Sequence, residues 1–223
     1  MRVEWHGQSA FTLEGREATV FVDPFGEMAG LEERGIEWSY PPIAADGVDL
    51  LLVTHEHRDH NAVEAIAGEP AMVRSLAGTY ETPVGTVVGV SSEHDAAAGS
   101  ERGHNTIYVF ALDGLRIAHF GDFGQAALRP EQREAIGKVD LAFMPVGGGP
   151  TIGGAAAAEI ALSLGARWVV PMHYRTPRIG FLADEGEFAA AFAHVQRFAG
   201  AEFETDELEE AETGAVAVIP AAP

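Results

Sequence analysis

Thr54-His55-Glu56-His57-Arg58-Asp59-His60 reads H-x-H-x-D-H and stands directly behind the apolar run Leu50-Leu51-Leu52-Val53. Three imidazoles and a carboxylate fall within six positions, and these groups supply the ligand atoms of zinc and its first-row neighbours. Asp49 to Val53 has the composition of a buried strand, so the string is read as a loop at a strand end, where chemistry sits on a rigid scaffold. If the chain stays extended past the strand, His55 and His57 point to one side and can share an ion. Asp59 continues that alternation and His60 turns the other way. A kink there sends Asp59 and His60 to a second ion. A mononuclear site needs only part of this group, so the surplus argues for two metals about 3.5–4 Å apart.

The remaining composition narrows the setting. A chain of 223 residues, 47% hydrophobic, is long enough for one substantial α/β domain or a pair of fused half-domains. No apolar run approaches the ~20 residues of a membrane helix, and Met1 to Gly7 lacks an apolar signal core. A cytoplasmic address without membrane association is therefore expected. There is no cysteine, which excludes disulfides, thiolate nucleophiles and Cys-containing zinc sites. Any metal must bind through nitrogen and oxygen. Lys and Arg total 14 against 34 acidic residues, a formal charge of −20 that repels polyanions. No nucleic-acid partner is expected. A small-molecule substrate is, and homo-oligomerisation is left open.

Along the chain, Val3 to Trp5, Ala10 to Leu13 and Ala18 to Val22 read as strands, the last two parted by the turn Glu14-Gly15-Arg16-Glu17. A polar, Gly- and Pro-bearing loop runs from Glu27 to about Gly47; its length points to a functional or a mobile segment. Trp38 and Tyr40 in it either cover the site or dock the loop on the core. Asn61 to Ala67 reads as a short helix with Asn61 as N-cap. Ala71 to Val73 and Val84 to Val90 read as strands. Thr106 to Leu112 and Leu115 to Phe120 form a hairpin about Asp113-Gly114. Then come a helix over Glu131 to Ile136, a strand over Val139 to Pro145, an Ala-rich helix over Ala155 to Leu164 stopped by Gly165, and a strand over Trp168 to Met172. Glu185 to Phe198 carries Phe188, Phe192 and Val195 at helical spacing, with His194 on its surface, and Ala215 to Ile219 reads as a last strand. A strand-rich first half and an alternating second half predict an α+β or α/β sandwich.

Three further residues stand at strand ends and are candidate ligands: His94 after Val84 to Val90, Asp122 in His119-Phe120-Gly121-Asp122, and His173 after Val169-Val170-Pro171-Met172. In this order behind H-x-H-x-D-H, the chain resembles the metallo-β-lactamase-fold hydrolases over nearly its whole length. Asp23-Pro24-Phe25, Arg102-Gly103-His104-Asn105-Thr106-Ile107-Tyr108, Pro145-Val146-Gly147-Gly148 and Pro171-Met172-His173-Tyr174 resemble the branch holding ascorbate-phosphate lactonase and its uncharacterised relatives. That branch often carries Gly-His-Ser near the N-terminus, where this chain has Gly7-Gln8-Ser9. The resemblance implies a single domain over residues 1–223, a four-layer αββα sandwich of the α+β class. It implies one ion on His55, His57 and His94, a second on Asp59, His60 and His173, and Asp122 bridging both. Five His and two Asp suit zinc, with manganese or iron as alternatives.

The expected function is a dimetal hydrolase that uses a metal-bound hydroxide on a small anionic ester, lactone or phosphodiester. Asp59 is the candidate to orient that nucleophile and shuttle its proton. Arg175, two after His173, is either a clamp for a substrate anion or half of a surface ion pair. His104 and His119 are the remaining substrate-contact candidates, His119 equally a core histidine. Gly147 to Thr151 is either an anion cradle or a plain turn. The alternatives are a phosphodiesterase for nucleic acid or phospholipid, and a non-catalytic metal-binding protein.

Overall fold

In the computed structural model, which describes residues 1–31, 33 and 35–223, every apolar run named above forms a strand or a helix face. Among the described residues there are fourteen strands and three α-helices. In chain order they are β1 (Arg2–Gly7), β2 (Ala10–Glu14), β3 (Thr19–Val22), β4 (Leu50–Val53), β5 (Ala71–Arg74), β6 (Gly78–Thr82), β7 (Gly85–Glu93), β8 (His104–Leu112), β9 (Leu115–His119), α1 (Pro130–Ile136), β10 (Leu141–Pro145), α2 (Gly154–Ser163), β11 (Trp168–Met172), α3 (Gly186–Ala190), β12 (His194–Arg197), β13 (Glu202–Glu204) and β14 (Val216–Ile219). Two mixed sheets result, ordered β13-β1-β2-β3-β4-β5 and β12-β14-β11-β10-β9-β8-β7-β6. This is an α+β sandwich of two sheets, as the resemblance implies. No helix among the described residues is long and apolar enough to cross a membrane.

Strand alternation explains how the first sheet is buried on both faces. Phe11, Leu13, Val20, Val22, Leu50 and Leu52 face the second sheet and join one core with Phe110, Ile117, Phe143 and Val170. Their neighbours Phe21, Leu51 and Val53 point outward into a second cluster, with Phe25, Tyr40, Ile43, Ile66, Ile179 and Leu182. The run Leu50 to Val53 is therefore apolar at every position, because each face meets a core. The outer cluster is the underside of the loop between β3 and β4, which covers the sheet. Tyr40 is buried there and its hydroxyl shares a 2.7 Å hydrogen bond with Thr176 Oγ1. Within that loop, Glu32 and Arg34 lie outside the described residues.

The hairpin turn between β8 and β9 is of the expected kind, with Asp113 (φ 52°) and Gly114 (φ 84°) both left-handed. Two helix expectations are corrected. Asn61 to Ala67 contains only a 3₁₀ turn over Val63–Ala65, and Asn61 donates to the Glu56 carbonyl (3.0 Å) rather than capping it. Glu185 to Phe198 is not one helix. α3 stops at Ala190, the Phe188 and Phe192 rings pack tilted with centroids 4.8 Å apart, and His194 to Arg197 join β14 as a parallel edge strand. His194 is thus on a strand, still exposed.

Candidate metal centre

The ends of β4, β7, β9 and β11 converge on one point. The loop after β4 brings His55, His57, Asp59 and His60; His94 follows β7, Asp122 follows β9 and His173 follows β11. Three overlapping groups place their ligand atoms within 4.8 Å of one another: His55, His57 and His94; His55, His60 and Asp122; Asp59, His60 and His173. Asp122 sits at the centre, its Oδ2 3.1 Å from His94 Nε2, 3.2 Å from His173 Nε2 and 3.3 Å from His60 Nε2. Asp59 Oδ2 lies 3.5 Å from His60 Nε2 and 4.0 Å from His173 Nε2. Nε2 of His55 and Nδ1 of His57 are 3.0 Å apart.

Surrounding groups fix the tautomers. His60 Nδ1 donates to Asp23 Oδ2 (2.9 Å), and His94 Nδ1 to the Pro150 carbonyl (3.0 Å). Thr54 Oγ1 donates to Asp23 Oδ2 (2.7 Å) and so accepts from His55 Nδ1 (3.1 Å). Each ring thus turns an Nε2 lone pair inward, the arrangement outer partners impose on metal-binding histidines. His60 Nε2 is buried, finds no hydrogen-bond partner, and faces two carboxylates. A cation satisfies all these groups at once, so the residues present fit a metal. A proton competes for the same lone pair. Burial opposes a charged His60, yet Asp122, Asp59 and Asp23 hold its pKa well above the ordinary imidazole value. Burial likewise opposes ionisation of Asp122, and His173 and His60 override it and keep the carboxylate ionised. Asp59 behaves the same way through His60. Burial depresses His55, His57 and His173.

Local backbone explains the convergence. Asp23 (φ 53°) and His173 (φ 51°) are left-handed non-glycine residues at strand ends, a costly conformation that clusters at functional sites. His173 N–H donates to the Gln8 carbonyl (3.2 Å), so the Gln8 backbone helps hold His173. Gly147 and Gly124 admit the backbones of His173 and His94 into contact distances that a Cβ would block. The motif loop is tethered from outside. Arg74 pairs with Glu56 (2.7 Å) and pulls its carboxyl down to about 2, with Ser75 Oγ also donating (2.7 Å).

The centre opens into a cavity of about 650 Å³ lined by His57, Asp59, His94, Asp122 and His173, by Arg58 and Arg102, and by Trp38 and other apolar residues. The other substrate-contact candidates lie elsewhere. Arg175 is exposed, ion-paired with Asp184 and absent from that lining. His104 lies at the exposed start of β8 and borders a separate cavity of about 300 Å³. His119 is fully buried between Phe11 and Phe143, a core histidine. Gly147 to Thr151 forms a turn whose Pro150 carbonyl orients His94. Sequence reading assigned no role to Asp23, Asn105 or Ser9. Asn105 Oδ1 accepts from Asp122 N (3.0 Å) and Ser9 Oγ donates to Asp122 Oδ1 (3.2 Å). The available signal was an acid directly behind the apolar strand Val20-Phe21-Val22.

Strand-end candidate ligands around one edge of two packed sheets point to a class, the metal-dependent hydrolases built on this sandwich. Residues 2–173 match the family model described as the beta-lactamase superfamily domain. A UPF0173 metal-dependent hydrolase of Thermococcus kodakarensis is 32% identical over 203 residues, covering 79% of this chain and 85% of that protein. One from Pyrococcus furiosus is 32% identical over 212 residues, covering 84% and 90%. A crystal structure from Thermotoga maritima, provisionally designated a Zn-dependent hydrolase of the metallo-beta-lactamase superfamily, superposes with a TM-score of 0.77 at 28% identity, covering 99% of this chain and 98% of that one. The chain belongs to the metallo-β-lactamase superfamily and, within it, to the UPF0173 metal-dependent hydrolases. The likeness does not single out the ascorbate-phosphate lactonase branch.

Proposed function

We propose that this metal-dependent hydrolase works with two zinc ions on a small anionic ester, lactone or phosphodiester. The observation that carries the reading is the position of Asp122 Oδ2, within 3.1–3.3 Å of three imidazole nitrogens drawn from both sides of the site. A carboxylate in that place would be within reach of ions held by either group of imidazoles. In this reading His55, His57 and His94 hold one ion, Asp59, His60 and His173 the other, and Asp122 both. Five imidazoles and two carboxylates favour zinc over magnesium or calcium, with manganese or iron the alternative. When bound, such a pair supplies a hydroxide at neutral pH and polarises the carbonyl or phosphoryl oxygen under attack. The chain's own residues do the rest. Asp59 has a side chain 24% exposed to the cavity and turns Oδ2 toward His60 and His173. Its other oxygen orients the attacking water, takes its proton and returns it to the leaving group. Asp23, Thr54 and Pro150 keep the imidazoles in the metal-binding tautomer.

Metal analysis and turnover test this together. Zinc-loaded protein should hold two ions per chain. Hydrolysis across an ester, lactone and phosphodiester panel should vanish with a chelator and return with zinc. Asp59→Ala should lower turnover by about 10²-fold or more while circular dichroism stays unchanged. Fewer than two ions at saturation, or wild-type turnover in Asp59→Ala, overturns the proposal.

A further inference from the structure

The cavity in front of the centre has two unlike walls. One is apolar: Met28, Leu31, Ile36 and Trp38 from the β3–β4 loop, with Ile179 and Phe181 from the segment after β11. The two segments are joined as one surface. Ser39 N–H donates to the Arg178 carbonyl (3.1 Å), Arg178 Nη1 donates to the Ser39 carbonyl (3.2 Å), and Tyr40 bonds Thr176. Phe181 is 54% exposed, and its ring faces the cavity rather than either core cluster. A large aromatic left open at the mouth of a site serves a ligand better than it serves the fold.

The other wall carries two guanidinium groups, and they differ. Arg58 is committed, donating to the carbonyls of Ala29 and Glu27 (3.3 Å each). Arg102 is not. In a chain with 34 acidic residues, every other described arginine side chain donates to, or ion-pairs with, a protein group. The Arg102 guanidinium alone among the described arginines has no such partner among the described residues. Its backbone is held firmly all the same. Asp95 accepts from the N–H groups of Ala97, Gly99, Glu101 and Arg102 (2.8–3.1 Å), folding residues 95–102 around one carboxylate directly behind His94. A fixed backbone presents an uncommitted cation beside the metal ligands, and the residue borders both the main cavity and the smaller one behind His55 and His57.

We propose that Arg102 determines specificity, pairing with an anionic group of the substrate while the Trp38–Phe181 wall takes an apolar chain or ring. The substrate is thus an amphiphile with one anionic group rather than a small polar metabolite, an assignment that rests on the hydrolytic reading of the site. A guanidinium offers paired donors to a carboxylate, phosphate or sulfate. A cavity of about 650 Å³ accommodates a body of drug-like size beside it.

Binding of alkyl sulfates to the zinc-loaded full chain, measured by calorimetry, separates this from the hydrolytic reading, because a sulfate monoester is a weak zinc ligand. Octyl sulfate should bind one to one. Butyl sulfate and 1-octanol, each lacking one half of the recognition, should bind about tenfold more weakly or worse, a factor worth ~1.4 kcal/mol. Arg102→Gln should weaken octyl sulfate by about tenfold, the scale of one charge-assisted pair, and Arg102→Lys should restore part of it. Phe181→Ala should weaken octyl sulfate but not butyl sulfate. Lys138→Gln, an exposed cation away from the cavity, should change nothing. Octanol binding as tightly as octyl sulfate, or an unchanged affinity in Arg102→Gln, overturns the inference. If the expected binding pattern appears but the ester, lactone and phosphodiester panel is inert, the hydrolytic reading fails and the Arg102 and Phe181 binding site stands without it.

Discussion

Asp23 is fully buried at the end of β3, in a left-handed conformation, and every hydrogen bond to its carboxylate is shared with the motif loop. Its two oxygens accept from Thr54 N–H, Thr54 Oγ1 and His60 Nδ1 (2.7, 2.7 and 2.9 Å). An amide cannot accept at both ends. In Asp23→Asn the Nδ2 group faces the His60 Nδ1–H, donor against donor, and the imidazole relieves the conflict by moving its proton to Nε2, the atom turned toward Asp122. Zinc affinity should therefore fall by about 10–100-fold, read by competition with a chromophoric chelator, while the fold persists. An affinity equal to wild type would show that Asp23 does not set the tautomer. The seven candidate ligands were legible because their side-chain chemistry is rare and their order is distinctive. Asp23 and Arg102 were not: an acid or an arginine in a loop acquires meaning only from what surrounds it.

At the scale of elements, legibility followed the burial of faces. β2, β3, β4, β10 and β11 are short apolar runs that the sheet buries, and they read directly. The polar edge strands β6 and β13 carried no such signal. The segment 185–198 misleads because Phe188, Phe192 and Val195 repeat at helical spacing, yet the free edge of β14 recruits His194 to Arg197 into a ladder (His194↔Val216 through Arg197↔Ile219). Tertiary pairing overrides local period here. The two arrangements differ in the sign of one measurable effect. In a helix, Val195→Ala would raise stability, since alanine is the better helix former. On the observed edge strand the same change should lower it by about 0.5–1 kcal/mol in urea denaturation. A stabilised Val195→Ala protein would return the segment to a helix.

For the whole molecule, the order of strands in the two sheets was beyond reach of any local pattern, because β1 pairs with β13 across most of the chain and β12 lies outside β14 at a sheet edge. What joins the sheets is partly apolar and partly polar. His119, at the end of β9, crosses from the second sheet to the first. Its Nε2 donates to the Ser9 carbonyl (3.0 Å) and its Nδ1 accepts from Gly121 N–H (3.2 Å). The neutral ring uses both nitrogens; protonation would set a second N–H against that of Gly121. Burial accordingly pushes its pKa down to about 4. A base depressed in the folded state loses stability as pH falls. Below about 6.5 the unfolded chain gains a proton that the folded chain refuses until about pH 4. Over that window the linkage amounts to about 3 kcal/mol, of which about 2 kcal/mol is lost by pH 5. His119→Gln keeps the donor and removes the titration. Urea denaturation of both metal-free proteins should show the stability of wild type relative to the variant shrinking by about 2 kcal/mol between pH 7 and pH 5. A constant gap, or an imidazole NMR signal of His119 titrating near pH 6.5 in the folded protein, would mean that this contact between the sheets tolerates charge.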